Sequence, residues 1–512
     1  MNQKQPNILL IMADQLAGPS LPIYGHNQVK SPNLERLSKD SVIFDNCYCN
    51  FPICGPSRAS LHTSIYAHKL NCFDNASEFQ ASIPTLPHYL RHVGYNTILC
   101  GKMHFVGPDQ YHGYEKRLTT EIYPANFAWT VDWSQGREFR PTNLTMAPVI
   151  ESGPCIRTLQ MDYDDEVSYN AIQGIYDLSR SKDKKPFFLT VSFTHPHSPF
   201  VISNDYWDMY VHDEIEMPSV GDIHPNDRDI LSQNLYYCQA RHKFKVEDEH
   251  IRNARHAYYG MISYIDEKVG QILDTLDKTG LRENTIIIFC SDHGEMMGER
   301  GMWYKQHFWE WSSRIPFLFS FPNKFSPKRV KENISLIDLM PTLLEVASSN
   351  NDINYATEIN GKSLINLLNG DSKDWADIAV SEYSADGSTG PSRMIKKGSL
   401  KYMYLEGIDE LLFDLDKDPL ELKNLINDDR YKENITELKS ILFSDWSLEE
   451  VRGRAIDNQK KRLFIHNVTN GDPNYVNIVR KDDDKRYIRN AGAADTKARA
   501  RLPYVPPAKP DR

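Results

Sequence analysis

The chain has 512 residues, more than one ordinary domain needs, and its 40% hydrophobic and 25% charged residues are typical of a folded globular protein rather than a disordered one. Its 59 lysines and arginines against 69 aspartates and glutamates give a net charge of −10, which argues against a general binder of nucleic acids or anionic membranes. No apolar run approaches the ~18 residues that a membrane-spanning helix needs, so the sequence predicts no membrane segment.

The first residues predict the cellular compartment. A few polar residues after Met1 lead into the apolar run 8–12 and then to Asp14, which is not the pattern of a signal peptide. The sequence therefore predicts a cytoplasmic protein, in which its eight cysteines remain thiols unless one of them takes part in chemistry.

Short apolar runs along the first part of the chain predict strands that are buried on both faces, namely residues 7–12, 95–100, 187–193 and 285–290. Between them, the apolar residues of 257–276 recur every three or four positions, which predicts an amphipathic helix that ends before Gly280. This alternation predicts an α/β fold with a doubly wound, mostly parallel sheet flanked by helices, which places ligands at the carboxyl ends of the strands.

The pattern changes after about residue 370. Residues 378–382, 401–405 and 411–414 predict closely spaced strands, and 435–443 predict a helix, so we expect a smaller C-terminal domain with an antiparallel sheet and a packed helix. Beyond about Asn458 the chain is charged and finally rich in proline. The predicted organisation is a catalytic α/β domain at 1–370, a smaller α+β domain at 371–457, and an extended tail at 458–512.

Polar side chains follow each predicted strand at the edge where α/β enzymes place their chemistry. They are Asp14 and Gln15, Lys102 and His104, His195 and His197, and Asp292 and His293. Two carboxylates and an imidazole from separate strand ends can bind one divalent cation. The ordinary alternative is capping and turn chemistry, which is the more common role of each pair alone, but the four pairs together favour a metal site.

A second cluster surrounds Cys54, which lies at the start of a predicted helix and four residues before Arg58. A cysteine at a helix N-terminus near an arginine favours the thiolate and is a candidate nucleophile. The alternative is a small buried apolar residue, the usual role of a free cysteine. Zinc binding with Cys47 and Cys49 is disfavoured, because the chain has no Cys-x-x-Cys pair.

Cys54, Pro56, Ser57 and Arg58 match Cys-x-Pro-Ser-Arg, the signature of the sulfatase family, and the chain resembles this family over about residues 6–425. Further matches, in the family's order and spacing, are residues 7–15, 101–107, 194–197, 291–294 and Lys305. Within the family the chain is most similar to the choline sulfatases, through residues 73–76, 101–112, 117–124 and 161–166 and the tail residues Arg486, Tyr487, Arg489, Asn490, Asp495 and Thr496.

The resemblance implies an alkaline-phosphatase-like fold and the hydrolysis of a sulfate ester. In this family the cysteine of the signature is oxidised to formylglycine (3-oxoalanine), and the hydrate of this aldehyde is the nucleophile. The implied metal ligands are Asp14, Asp292, His293 and the modified Cys54, with Gln15 as a weaker partner. The implied cofactor is one divalent cation, Ca²⁺ first and Mn²⁺ or Mg²⁺ second, because an imidazole ligand also suits a transition metal.

The remaining catalytic roles are also implied by the resemblance. Arg58 would hold the modified residue; Lys102, Lys305 and Asn75 would bind sulfate oxygens; His104 would take a proton from the nucleophile's second hydroxyl; and His197 would protonate the leaving alkoxide. The ordinary alternative for the two lysines is a solvated surface charge. His195 remains an alternative to His197, although the surrounding prolines favour His197.

Choline-O-sulfate carries a quaternary ammonium, which proteins bind with aromatic faces and carboxylates. The resemblance points to Trp129, Asp386 and Asp495, for which core packing, a turn and a disordered end are the alternatives. Because Asp495 lies in the tail, we expect it to enter a neighbouring subunit's site, which predicts a homo-oligomer, a dimer or a tetramer. Residues 140–143 and Thr389 depart from the choline-sulfatase pattern, as does Asp386 where glutamate is more frequent, so another small cationic or zwitterionic sulfate ester stays open as the substrate.

The sequence thus predicts a sulfuric ester hydrolase that acts on a small-molecule sulfate ester and needs a formylglycine-generating maturation enzyme, without nucleic-acid or membrane partners. The first alternative is a phosphonate monoester or phosphodiester hydrolase on the same scaffold, because such relatives share the metal ligands. The second is a non-catalytic protein that binds quaternary ammonium compounds. It would leave Cys54 unmodified and show no turnover.

Overall fold

The structure, a computed structural model, describes residues 5–183, 185–348, 353–469, 478–489 and 500–511. Its β-strands are β1 (Asn7–Ala13), β2 (Val42–Tyr48), β3 (Asn96–Gly101), β4 (Lys116–Arg117), β5 (Gly153–Cys155), β6 (Arg157–Thr158), β7 (Phe187–Ser192), β8 (Val201–Ser203), β9 (Thr285–Ser291), β10 (Arg314–Ile315), β11 (Phe317–Ser320), β12 (Lys328–Ser335), β13 (Ile378–Tyr383), β14 (Ser392–Lys397), β15 (Leu400–Leu405), β16 (Asp409–Asp414) and β17 (Arg501–Leu502).

The α-helices are α1 (Pro32–Ser38), α2 (Cys54–Thr63), α3 (Ala67–Leu70), α4 (Leu86–His92), α5 (Ala147–Ile150), α6 (Leu159–Arg180), α7 (Asn204–Trp207), α8 (Ile230–Cys238), α9 (Asp248–Thr279), α10 (Glu310–Ser313), α11 (Leu339–Ala347), α12 (Ile365–Asn369), α13 (Lys432–Leu442), α14 (Leu448–Val468) and α15 (Asp483–Arg486). Among the described residues, none of these helices has the length and apolar character needed to cross a membrane.

Nine of the described strands form a central sheet in the order β12, β2, β11, β9, β1, β7, β3 and β4, with β10 also paired to β2. The pairs β9–β1, β1–β7, β7–β3, β3–β4 and β12–β2 are parallel, whereas β11 runs antiparallel to both its neighbours. The four strands predicted from apolar runs are therefore the middle of a mostly parallel sheet, and this prediction is confirmed.

Helices cover both faces of this sheet, as the alternation along β1 shows. Ile8, Leu10 and Met12 point into one apolar core, together with residues of α2, α4 and α11, while Leu9 and Ile11 point into a second core with α1, α6 and α9. Successive side chains of a strand point to opposite faces, so an unbroken apolar run serves two cores at once. The doubly wound α/β architecture is confirmed.

The long helix α9 extends the predicted helix at its N-terminal end. It begins at Asp248, where Glu247 and His250 form a reciprocal cap, and it ends at Gly280, whose φ of +70° is the left-handed conformation that glycine adopts at low cost. The first turns carry polar and charged residues, so the apolar periodicity that predicts the helix from residue 257 does not include them.

The C-terminal sheet has the antiparallel order β13, β14, β15 and β16, and α13 packs against it through Leu438 and Leu442. The predicted sheet-plus-helix domain is confirmed, but β14 was not among the predicted strands. The charged residues Arg393 and Lys396 are typical of an exposed segment. In β14 both are buried instead, where Arg393 pairs with Glu382 and Lys396 donates to Asn333.

The last part of the chain packs on the large domain. α14 continues past Asn458, where the tail is predicted to begin, and β17 pairs with β6. The domain boundaries stay predictions. A buried ion pair joins α14 to the loop after α3, because the Arg462 guanidinium donates two hydrogen bonds of 2.7 Å to the two carboxylate oxygens of Asp74.

We predict that Arg462→Ala lowers the free energy of unfolding by about 3–5 kcal/mol, because it leaves the Asp74 carboxylate buried without its partner. Chemical denaturation measures the loss. Lys461→Ala is the matched control on the same helix, since its pair with Asp457 is largely exposed and should contribute little. Equal effects of the two substitutions would contradict the assignment.

Candidate active site

The polar residues that follow the central strands meet at one edge of the sheet. Asp14 follows β1, Lys102 follows β3, and Asp292 and His293 follow β9. All four side chains are buried, and each is at most 1% exposed. Because neighbouring parallel strands end on the same side of a sheet, their loops converge there.

Four potential metal ligands form the centre of this site, namely Asp14, Cys54, Asp292 and His293, whose ligand atoms all lie within 4.8 Å of one another. The Cys54 sulfur is 3.2 Å from His293 Nε2 and 3.6 Å from Asp14 Oδ1. His293 Nε2 is 3.7 Å from Asp14 Oδ1 and 3.7 Å from Asp292 Oδ1. The resemblance implies these four residues as metal ligands, and the structure brings them together.

Each carboxylate uses its second oxygen for a buried cation of the chain. Asp14 Oδ2 is paired with the Lys102 ammonium, and Asp292 Oδ2 accepts a hydrogen bond of 2.8 Å from Arg58 Nε. The His293 Nδ1 atom lies 3.0 Å from the Gly294 carbonyl oxygen, to which it can donate, so Nε2 keeps its lone pair. Two carboxylate oxygens and one imidazole nitrogen therefore face a common centre, and this set fits a divalent cation.

The electrostatics favour a cation at the same place. Burial, with Asp292 and Cys54 nearby, raises the pKa of Asp14 to about 7 against the opposing effect of Lys102. Burial also opposes ionisation of Cys54, but Lys102, Lys305 and His293 outweigh it and hold the pKa of the thiol well below its usual value. A bound divalent cation would relieve the repulsion of Asp14 by Asp292 and Cys54.

Cys54 occupies the first turn of α2, as the sequence predicts, and Arg58 lies one turn later. The Arg58 side chain is fully buried and donates from Nη1 to the Lys102 carbonyl oxygen and to Ser192 Oγ, both at 2.8 Å. It thereby ties α2 to the loop after β3 and to the end of β7, in addition to Asp292. Arg58 holds the segment that carries residue 54 in position.

Lys102 and Lys305 are buried, so the alternative of solvated surface charges is wrong for both. Lys102 Nζ lies 3.3 Å from the Cys54 sulfur and 4.1 Å from the centroid of the Tyr123 ring. Lys305 Nζ donates to Gln15 Oε1 at 2.5 Å and lies 2.7 Å from His197 Nε2. Both ammonium groups therefore point into the site, where an anionic group would be bound.

The two histidines expected to transfer protons lie on either side of Tyr123. The His104 ring stacks on the Tyr123 ring with a centroid distance of 4.6 Å, and burial lowers the pKa of His104. His197 Nε2 is 3.3 Å from the Tyr123 hydroxyl. His195 instead pairs through Nδ1 with Asp164 at 2.6 Å, so of the two alternatives the geometry brings His197 to Lys305.

The residues expected to hold the substrate surround this centre in part. Asn75 Oδ1 accepts a hydrogen bond of 2.9 Å from the Gly55 amide, next to Cys54. Trp129 packs with its edge against His104 and Tyr123, at centroid distances of 5.9 and 5.5 Å. Asp495 lies outside the described residues.

Asp386 is buried, and one of its oxygens lies 3.5 Å from the Thr142 hydroxyl. Its Oδ1 atom and the indole nitrogen of Trp129 are both buried without a hydrogen-bond partner in the described part of the chain. Burial, together with the neighbouring Asp74, raises the pKa of Asp386 to about 7. The unpaired Asp386 oxygen fits a ligand that supplies a positive charge, whereas the indole N–H of Trp129 is a donor that needs an acceptor.

Sequence analysis missed several residues that hold the site together. Glu295 accepts a hydrogen bond from the Gln15 amide nitrogen and so turns the amide oxygen toward Lys305; Glu121 accepts hydrogen bonds from the backbone amides of Met103 and His104. The signal for Glu295 was its position two residues after His293. Tyr123 lies within a stretch already recognised by resemblance, but no pattern indicated its central place.

The comparisons with known proteins agree with this geometry. The family model described as sulfatase matches residues 6–349, and the model for the C-terminal part of N-sulphoglucosamine sulphohydrolase matches residues 298–446. The chain belongs to the sulfatase family. It is a sulfuric ester hydrolase, and the recognition of the family from the sequence is confirmed.

Individual relatives are similar to this sulfatase over most of its length. It is 39% identical to a choline-sulfatase of Rhizobium meliloti over 97% of this chain and 98% of the relative. It is 30% identical to an arylsulfatase of Clostridium perfringens over 88% of this chain and 95% of the relative. The solved structure of a phosphonate monoester hydrolase of Agrobacterium radiobacter matches with a TM-score of 0.68 and 24% identity, over 85% of this chain and 96% of that chain, which shows a shared fold.

We predict that divalent cations bind this sulfatase about tenfold more weakly at pH 6 than at pH 8, because protonation of Asp14, whose pKa is about 7, removes one ligand. The affinity should rise with pH through 7 and then level off. Calorimetric titration with Mn²⁺ and Ca²⁺ measures it.

Asp14→Asn should weaken the binding and abolish this step. The matched control is Asp338→Asn, because Asp338 is also buried with a pKa of about 7 but lies outside the cluster, where it accepts hydrogen bonds from backbone amides. A pH step that survives Asp14→Asn would contradict the assignment.

Proposed function

We propose that this sulfatase hydrolyses choline-O-sulfate to choline and sulfate, with a formylglycine made from Cys54 by a maturation enzyme as the nucleophilic residue. The observation that carries the proposal is the position of the Cys54 sulfur, which lies 3.2–3.6 Å from His293, Lys102 and Asp14. A nucleophile at this position faces the candidate metal ligands on one side and the buried ammonium groups on the other. The near-full-length similarity to a choline-sulfatase supports the choice of substrate.

The proposed metal ligands are Asp14, Asp292, His293 and the modified residue 54, with Gln15 as a weaker partner. Carboxylate oxygens favour Ca²⁺, and the imidazole also admits Mn²⁺, with Mg²⁺ as a further candidate. When bound, the cation would lower the pKa of the hydroxyl at residue 54 and make it a better nucleophile.

The chain's own residues would bind the sulfate group and move the protons. Lys102 and Lys305 would bind sulfate oxygens with their buried ammonium groups, and Asn75 would donate a further hydrogen bond from its amide nitrogen. His197 would act as the imidazolium, with Lys305 turned from its Nε2 to the sulfate group, and would give the Nε2 proton to the leaving alkoxide, because choline is a poor leaving group when unprotonated. His104 would accept a proton from residue 54, and burial keeps His104 neutral and ready to do so.

The proposed choline pocket consists of Trp129 and Asp386. The unpaired Asp386 oxygen would gain a cation as its partner, and a ring face of Trp129 or Tyr123 would suit methyl groups that carry partial positive charge. Asp495 of a neighbouring subunit, a homo-oligomeric state and a cytoplasmic location remain part of the proposal.

We predict that Cys54→Ala abolishes release of sulfate from choline-O-sulfate, because no other group replaces the nucleophile at the metal site. Intact-protein mass spectrometry of active enzyme should show that residue 54 no longer carries sulfur. The matched control is Cys72→Ala, since Cys72 is also a buried free thiol but lies outside the ligand cluster.

Full activity of Cys54→Ala would contradict the nucleophile assignment. An aryl phosphonate monoester hydrolysed faster than choline-O-sulfate by orders of magnitude would instead favour the phosphonate hydrolase. Tight choline binding with an unmodified Cys54 and no turnover would favour the binding protein.

We predict that Asp386→Asn and Trp129→Ala each raise the KM for choline-O-sulfate about tenfold, because each removes an interaction of about 1.4 kcal/mol with the quaternary ammonium. The matched substrate is the sulfate ester in which an uncharged tert-butyl group replaces trimethylammonium. Its kcat/KM should hardly change with Asp386→Asn. Equal losses on both esters would show that Asp386 does not recognise the charge.

A further inference from the structure

A residue of the C-terminal segment contacts side chains that lie beside the active site. Arg489 is only 5% exposed, and its backbone amide donates to the Ile122 carbonyl oxygen at 2.9 Å. Its guanidinium donates from Nη1 to the Tyr123 hydroxyl oxygen at 2.9 Å and from Nη2 to Gln160 Oε1 at 2.7 Å. One planar group therefore holds two side chains in a fixed relative position.

Both of these side chains contact His197, at opposite ends of the residue. The Tyr123 hydroxyl is 3.3 Å from His197 Nε2, the atom that faces Lys305. Gln160 Nε2 donates to the His197 carbonyl oxygen at 2.7 Å. Arg489 is thus connected to the His197 ring through Tyr123 and to the His197 backbone through Gln160.

Arg489 constrains the direction of these hydrogen bonds. An arginine has only donors, so the Tyr123 oxygen must accept from it and can also accept from a protonated His197 Nε2. In the same way Gln160 must present its oxygen to Arg489 and its NH₂ group to the His197 backbone. Without Arg489 the Tyr123 hydroxyl loses its donor, whereas Gln160 keeps its two carbonyl acceptors at Thr194 and His197.

We propose that Arg489 is a positioning residue that fixes His197 for protonation of the leaving group. The inference rests on the proposed role of His197 as general acid. It gives the C-terminal segment of this chain a function in its own active site, in addition to the contribution to a neighbouring site expected of Asp495. As the oxygen of residue 54 bonds to sulfur, the bond between sulfur and the ester oxygen breaks and the Nε2 proton of the imidazolium passes to that ester oxygen, so a displaced imidazole slows the step only where the leaving group needs the proton.

The test compares two sulfate esters with different leaving groups. We predict that Arg489→Ala lowers kcat/KM for choline-O-sulfate at least about tenfold, a part of what a positioned general acid contributes. For p-nitrophenyl sulfate, whose leaving phenolate needs no proton, the change should stay within about threefold. Arg489→Lys should lie between, because one ammonium cannot hold both partners in the plane of a guanidinium.

The matched control is Arg486→Ala in the same segment. Arg486 pairs with Asp162 and is about half exposed, so this variant should leave both activities unchanged. In a His197→Ala background, Arg489→Ala should cause no further loss on choline-O-sulfate. Equal losses on the two esters with Arg489→Ala, or a loss that persists without His197, would overturn the proposal and indicate a structural role only.

Failure of the proposed function is a separate outcome. If the wild-type protein hydrolyses neither ester, crystal structures of the wild type and of Arg489→Ala decide the positioning claim. A rotated or disordered His197 ring in the variant supports the claim, and an unchanged ring overturns it.

Discussion

The site depends on two buried ion pairs, each of which uses one oxygen of a carboxylate in the ligand cluster. Lys102 takes one oxygen of Asp14 and Arg58 takes one oxygen of Asp292, so the other oxygen of each carboxylate faces the centre. Asp292 Oδ1 also accepts hydrogen bonds from the backbone amides of Gln15 and His293, which fix its position. Breaking such a pair leaves a buried charge without a partner, which costs several kcal/mol. These pairs therefore fix both the position of the ligands and the charge that a divalent cation would meet. The rest of the site is built around this constraint.

The backbone of the fold already places the partners of these ion pairs close together. The strands β1, β3, β7 and β9 are neighbours or near neighbours, and their carboxyl ends deliver Asp14, Lys102, His197 and Asp292 to one edge. Gly101 permits the closest approach, because its φ is +106° and a Cβ there would lie 1.9 Å from the Ser192 carbonyl oxygen. Helix α2 then inserts Cys54 between the strand ends, with Arg58 holding it from one turn below. The backbone thus positions the active-site residues of this sulfatase, and a few buried cations set the charge around them.

Much of this could be predicted from the sequence, and the reason differs between parts. Strands buried on both faces read as unbroken apolar runs, and ligands that immediately follow such strands, such as Asp14 and Asp292, are easily placed. β14 was missed because Arg393 and Lys396 are paired inside the protein, where local composition gives the wrong expectation.

Tyr123, Gln160 and Arg489 were missed as a group because they come from three distant segments, and only the packed chain brings them to His197. No local pattern records such a contact. The buried ion pair of Arg462 with Asp74 was missed for the same reason. The apolar residues of α14 are not periodic enough to predict which surface this helix packs against. Long-range polar contacts of this kind position the site, and they are the part that the structure adds.

The most direct test of the account is an anomalous difference map from crystals of the active sulfatase grown with Mn²⁺. The account predicts one strong peak bounded by Asp14 Oδ1, Asp292 Oδ1, His293 Nε2 and the side chain of residue 54, with that side chain lacking sulfur. A map from active enzyme with no peak among these four residues, or with an intact thiol at Cys54, would contradict it.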